Sequence, residues 1–412
     1  MTLAEAPLLL MLVGLAAYAV LGGADFGAAF WQLGARGAQL REHAYRAMGP
    51  VWEANHVWLV FVLVICWTAY PEAFASIFST LTVPLFVAAL GIILRGTAYA
   101  VHAGSAREIE RRAIDAVFSI SSILTPFALG TAVGAIASGR VPVGNARGDL
   151  VTSWLNPTSV AIGVLAVATG AYVAAVYLAG DGARAGRAEL AAAFKARALG
   201  AGLVTGALAF AALIVVRLDS GRVGERLLEW PAILAIAASA AAGLATLELI
   251  RRSRFEAARY GASAAVASVV VGWALAQRPE LLSGLTVEEA AAGRPTLIVT
   301  VVGVALGGLV LVPSLTLLFG LVLRGGFDEE VAPAEAVRQE RPSPPARHIS
   351  PLGLAVTLGA IGLPLLLVFD GGFLLALGVG ALLAFVAIAS LAITPDATST
   401  EATGENRGRA PS

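Results

Sequence analysis

The sequence predicts an all-α, polytopic membrane protein. Of 412 residues, 58% are hydrophobic and only 14% charged, the mean hydropathy is +0.80, and the apolar residues fall in long runs between clusters of charge. A typical soluble domain carries about 25% charged residues, so a water-soluble enzyme is excluded. The 28 basic and 28 acidic residues cancel, which leaves no basic surface for nucleic acid and no single-sign field for steering. One cysteine, Cys66, excludes an intrachain disulfide, a thiolate zinc site and an iron–sulfur cluster held by this chain alone.

A bilayer core about 30 Å thick takes about 20 residues of helix. Nine runs meet that need, at 8–33, 54–70, 79–102, 115–138, 158–180, 198–216, 231–250, 260–277 and 296–323. Glu5 but no Lys or Arg precedes the first run, which exceeds a signal-peptide core and reads as a retained helix. Pro84, Pro126 and Pro313 are expected to kink the third, fourth and ninth helices. Two four-helix halves are a natural way to build nine spans, although the sequence shows no internal repeat. Residues 1–323 thus form a nine-helix transmembrane core.

Beyond it, residues 324–350 turn to Asp, Glu, Arg and Pro, with Arg341-Pro342-Ser343-Pro344-Pro345 marking a solvated linker. Two further apolar runs, 351–369 and 372–394, are joined by Asp370-Gly371-Gly372. Gly accepts positive φ in a tight turn, so the pair predicts an extra C-terminal transmembrane hairpin. Residues 395–412 are small and polar and predict a disordered tail.

Basic residues set the orientation. Counted from an external N-terminus, the inner loops hold Arg36, Arg41, Arg46, Arg107, Arg111, Arg112, Arg184, Arg187, Lys195, Arg197, Arg251, Arg252, Arg254 and Arg259. The outer loops hold only Arg140, Arg147, Arg217, Arg222, Arg226, Arg278 and Arg294. The positive-inside rule therefore places the N-terminus outside and the linker in the cytoplasm.

Charged residues inside apolar spans are the strongest functional signal, because Asp or Arg at a helix centre costs about 2.5 to 3.5 kcal/mol to insert. Asp25 sits in Gly22-Gly23-Ala24-Asp25-Phe26-Gly27, where small neighbours let another helix approach and shield the carboxylate. Counting along helices 1 and 3 puts Asp25 and Arg95 both roughly 10 to 12 Å from the cytoplasmic ends, so they could pair. A buried ion pair that only fixes helix register is the alternative.

The second constellation is Gly49-Pro50-Val51-Trp52-Glu53-Ala54-Asn55-His56-Val57-Trp58-Leu59 at the cytoplasmic head of helix 2. Glu53 and His56 share a helix face, Asn55 adds a hydrogen-bonding group, and Trp52 and Trp58 suit an interfacial belt. A helix start would explain Glu53 alone through the helix dipole, but not His56 and Asn55 on the same turn. Glu53-x-x-His56 is half of a di-iron carboxylate motif, and no second copy exists, because Leu40, Tyr99 and Pro345 stand three residues before the other histidines. A haem between His56 and His102 stays open as an alternative. Asp115 reads as a helix-start residue, with extension of a polar cluster as the alternative, and Glu248 as part of an interfacial cluster with Arg251 and Arg252.

The blocks Gly22–Gly27 and Gly49–Leu59, followed by the long helix with Arg95, resemble subunit II of the cytochrome bd-type quinol oxidases. The match is strongest over residues 10–102 and extends to Arg324, with Asn156-Pro157 before helix 5 also similar. The resemblance implies two four-helix bundles plus a ninth helix. It implies a bacterial cell-membrane quinol:oxygen oxidoreductase in which the partner, subunit I, carries haem b and haem d. Subunit II then binds no haem, supports its partner and supplies a cytoplasmic proton path to the oxygen-reducing site. On this pattern Asp25 and Glu53 line the path, with His56 beside it and Arg95 as charge partner. Some relatives also hold a structural quinone, and the C-terminal hairpin, a departure from the pattern, could take the place of a small accessory subunit.

The residues support a proton path independently. Glu53 near the surface and Asp25 about two turns deeper form a graded pair of titratable groups, as a relay requires. The competing class is a secondary transporter using Asp25, Glu53 and Arg95 for an ion or substrate. Such transporters often show paired broken helices, and residues 158–323 hold no partner for the glycine-interrupted acidic first helix.

Overall fold

The computed structural model describes residues 2–34, 37–48, 52–102 and 108–323, and within the C-terminal segment residues 354, 357–362, 373, 377–382, 384, 385 and 388. The chain divides into two compact units, Met1–Phe327 and Asp328–Ser412. Among the described residues, eight helices are long and apolar enough to cross a membrane, and a shorter apolar helix, Glu53–Ala69, adds to them.

The first span, Glu5–Gly34, is one rod in three pieces: α1 (Glu5–Ala17), a π-turn (Tyr18–Gly22) and α2 (Gly23–Gly34). After α3 (Ala38–Met48) come α4 (Trp52–Ala69), α5 (Pro71–Thr80), α6 (Thr82–His102) and α7 (Glu108–Ala137). α1 packs on α4, α6 on α7, and α2 on α7, so the first half is a bundle of helices 1 to 4. The second half comprises α8 (Pro157–Arg184), α9 (Ala188–Asp219), the short α10 (Gly221–Arg226), α11 (Trp230–Arg251) and α12 (Phe255–Gln277). Here α8 packs on α9 and α12, and α11 on α12; α8 also packs on α2 and α7, which joins the halves. A two-stranded hairpin, β1 (Glu280–Leu282) and β2 (Leu285–Thr286), and α13 (Val287–Ala290) lead into α14 (Arg294–Leu323), the ninth helix, which rests on α4 and α1.

Several helix boundaries differ from the sequence reading, each for a local reason. α4 is short of a full span because Trp52, Glu53, Asn55 and His56 occupy its first turns. Pro71 then ends it and starts α5 as a separate helix, since proline has no N–H to continue the ladder. Pro84 falls in the first turn of α6, where no intrahelical N–H bond is missing. Pro126 and Pro313 do lie inside α7 and α14. α7 begins at Glu108, so Asp115 stands two turns into the helix rather than at its start. α8 opens with Asn156 accepting from the Ser159 N–H at 3.0 Å and Pro157 at the first helical position, an ordinary N-cap.

The core is mostly alanine and glycine, which lets helices touch backbone to backbone. The closest approach is α2 against α8, where a Cβ added to Gly27 would lie 1.9 Å from the Gly170 carbonyl oxygen. Hydrogen bonds from Trp31 Nε1 to the Ala171 carbonyl (2.7 Å) and from His43 Nε2 to the Leu178 carbonyl (3.0 Å) tie α2 and α3 to the same helix. At the opposite end Asp219 receives both guanidinium nitrogens of Arg140, at 2.9 and 2.7 Å, and the Thr158 hydroxyl at 2.7 Å. That cluster fastens the loop after α7 to the head of α8 and the tail of α9.

In the second unit residues 357–362 and 377–382 are helical, and Gly362 lies against Leu382. The expected Asp370-Gly371-Gly372 turn, the linker 324–350 and the tail 395–412 lie outside the described residues, as do Gly49, Pro50 and Val51.

Candidate functional site

The charged residues singled out in the sequence come together where α2, α4 and α6 meet inside the first half. Asp25 is 6% exposed, and its Oδ2 accepts a 2.5 Å hydrogen bond from Asn55 Nδ2, itself 4% exposed. The same amide donates to the Leu21 carbonyl at 3.3 Å, within the π-turn. π-Turns inside α-helices gather at functional sites because they re-aim the residues that follow.

Arg95 on α6 is 2% exposed, and its guanidinium stands 4.7 Å from the centre of the Phe26 ring and 5.4 Å from that of Phe118. Asp25 and Arg95 lie near enough for each charge to act on the other. A cation over a desolvated ring gains about 2 kcal/mol, and a hydrogen bond to a charged group about 1.5 to 3 kcal/mol. Together these are comparable to the insertion cost of each charge and help to hold the cluster inside the bundle.

His56 faces the same interior from α4. Its Nδ1 is 3.5 Å from the Tyr18 hydroxyl, and its ring packs against Tyr18 and Phe26 with centroids 6.0 and 6.1 Å apart. Glu53 is exposed at the head of α4, and its charge acts on Tyr99, one helical turn beyond Arg95. Asp25, His56 and Arg95 therefore share one buried cluster, and Glu53 stands at its margin on the arginine-rich side of the protein. Asn55, which the sequence offered only as an added hydrogen-bonding group, is the direct partner of Asp25.

Tyr18, Phe26, Phe118 and Tyr99 were not foreseen. The signal was present in part: Tyr99 follows Arg95 by four residues, a same-face spacing, whereas the π-turn between Tyr18 and Asp25 breaks the count for Tyr18. The expected cluster of Glu248 with Arg251 and Arg252 is present, with contacts of 2.7 and 2.5 Å. A second clamp, Arg259 to Asp181 (2.5 Å) and to the Tyr177 carbonyl (2.7 Å), binds α12 to α8.

Among the described residues no group of three or more His, Cys, Asp or Glu is placed to hold a metal ion. The haem alternative needs an imidazole opposite His56. His43 is instead committed to the Leu178 carbonyl, and the His102 side chain lies outside the described residues.

Fold and site thus define a multi-pass helical membrane protein with a buried charged cluster in its first four-helix half. The chain belongs to the cytochrome bd terminal oxidase subunit II family, whose model matches residues 3–322. Among solved structures it is similar to the bd oxidase from Geobacillus thermodenitrificans, with TM-score 0.66 and 23% identity, over 78% of this chain and 99% of that chain. Comparison by sequence with curated proteins gives no match. Membership makes the chain a subunit of a haem-containing respiratory oxidoreductase complex, which implies a partner subunit. A subunit of an oxidase replaces the alternative reading as a secondary transporter. The C-terminal unit lies beyond the matched residues.

Proposed function

We propose that this subunit supports a haem-bearing subunit I and carries protons from the cytoplasm towards its oxygen-reducing site. Glu53 takes up protons at the surface and Asp25 holds them deeper, with His56 beside the route and Arg95 as charge partner. The observation that carries this reading is that the Asp25 carboxylate is held by a neutral amide, Asn55, so it can exchange a proton without losing its hydrogen-bond partner. On this reading the arginine-rich side is cytoplasmic, the N-terminus lies outside the bacterial cell membrane, and haem b and haem d reside in subunit I. Residues 324–350 are a cytoplasmic linker and 351–394 a hairpin that takes the place of a small accessory subunit. A structural quinone would bind among the apolar helices, with no residue of this chain assigned to it.

Two measurements test this. The isolated chain should show no haem band in a reduced-minus-oxidised spectrum, and the band should appear only when subunit I copurifies. A Soret band from this polypeptide alone would overturn the division of labour and favour a haem on His56. In the assembled oxidase, Glu53→Gln should slow quinol-driven oxygen uptake at unchanged haem content. Unchanged uptake in both Glu53→Gln and Asp25→Asn would remove the proton path and leave a supporting role alone.

A further inference from the structure

The arginine-rich ends of α2, α3, α6 and α7 bring together a second set of polar side chains that the Asp25 cluster does not use. Gln32 follows Asp25 by seven residues on the same span, so the two share a face about 10 Å apart along the axis. Gln32 is 5% exposed. Its Nε2 donates to Oδ1 of Asp115 on α7 at 3.4 Å, while its buried Oε1 has no partner among the described residues. An unsatisfied buried acceptor costs about 1 to 3 kcal/mol, and a bound water is the usual way such an oxygen is satisfied.

Asp115 is half-buried, and its charge acts on Tyr45 of α3. Tyr45 stacks on Tyr99 of α6 with ring centres 5.3 Å apart and meets Phe118 edgewise at 6.4 Å. Burial, with Tyr99, Asp115 and Glu42 adding to it, pushes the Tyr45 hydroxyl up to about 12. Tyr45 therefore remains a neutral hydroxyl able to accept and donate. The charge of Asp115 acts on Tyr45 and that of Glu53 on Tyr99, which lies one turn from Arg95 on α6.

We propose that Asp115, held by Gln32 beside a bound water, is a second proton-uptake group acting in parallel with Glu53, and that both feed the Tyr45–Tyr99 pair in front of Arg95 and Asp25. The inference rests on the proton-carrying role proposed for Asp25. A proton from cytoplasmic water binds the Asp115 carboxylate, passes by way of the water at Gln32 Oε1 to the Tyr45–Tyr99 pair and moves on towards Asp25, which leaves Asp115 ionised again. Asp115 and Glu53, with Glu42 also acting on Tyr45, enlarge the field that collects protons at one mouth, and such focusing raises arrival rates by about 10-fold or more.

The test uses the whole oxidase in liposomes, with quinol-driven oxygen uptake expressed per haem. Glu53→Gln and Asp115→Asn should each keep a substantial part of the turnover, while the double variant falls about tenfold or more. Asp115→Glu, which keeps the titratable group, should stay close to the parent, a rescue that a merely structural role would not give. Gln32→Leu should match Asp115→Asn. A double variant no slower than Glu53→Gln alone, or parental turnover in Gln32→Leu, overturns the second uptake group. Neither result touches the Asp25 role, which fails separately if Asp25→Asn keeps full turnover.

Discussion

Replacing Asp25 by Asn is expected to remove most of the quinol-driven oxygen uptake of the assembled oxidase while its haem content and yield stay near normal. Asn keeps the shape of the side chain and can still bond to Asn55, so the packing between α2 and α4 survives. Only the titratable group is lost, and a positioned proton carrier contributes about 10²-fold or more to rate. If Asp25 served only as a counter-charge, the result would differ. Arg95, 2% exposed, would lose the opposing charge of Asp25, a loss worth about 3 to 5 kcal/mol for one member of a buried pair, and the yield of complex would fall. Asp25→Asn combined with Arg95→Gln separates the two. Recovery of both yield and uptake in that double variant would rule out an obligatory proton-carrying role.

The largest effect on stability is expected from Gly27→Val. A Cβ there would meet the Gly170 oxygen at 1.9 Å, its carbonyl carbon at 2.3 Å and the Ala171 nitrogen at 2.8 Å. All three are backbone atoms, so no rotamer change can relieve the clash and the α2–α8 seam must open. Overpacking that side chains can absorb costs about 1 to 3 kcal/mol, and a backbone clash lies at or above the upper end. Thermal unfolding of the purified complex should shift down and its yield drop. Gly206→Val on α9, where an added Cβ meets nothing within 4 Å, should leave both unchanged. Equal behaviour of the two variants would show that the seam tolerates separation.

The spans were legible because length and hydropathy are properties of composition, and a bilayer leaves few other solutions for such runs. α3 was not, because Ala38–Met48 mixes Arg41, Glu42 and His43 with apolar residues and reads as a loop until Ala44 and His43 are seen buried against the bundle. α5 hid inside the boundary of two expected spans. In the site, charge made Asp25 and Arg95 conspicuous, since each must repay a transfer cost. Gln32, Tyr45 and Tyr99 carry no charge and so raise no alarm, although the spacing of Gln32 from Asp25 and of Tyr99 from Arg95 was readable. The choice of Asn55 rather than Arg95 as the direct partner of Asp25 depended on rotation about helix axes. Periodicity fixes that rotation only if the helix is regular, and the first span is not.

That irregularity reaches beyond its own five residues. In an unbroken α-helix each residue advances the azimuth by about 100°. The π-turn at Tyr18–Gly22 resets that count halfway across the membrane. α1 below the reset points Gly14 at Phe61 of α4, and α2 above it points Gly27 at Gly170 of α8. A single helix thus addresses two different neighbours, like a key cut on two edges. The angular position of every group from Asp25 to Gln32 is measured from this one phase slip, so the charged cluster and the seam between the two halves share a common origin and move together or not at all.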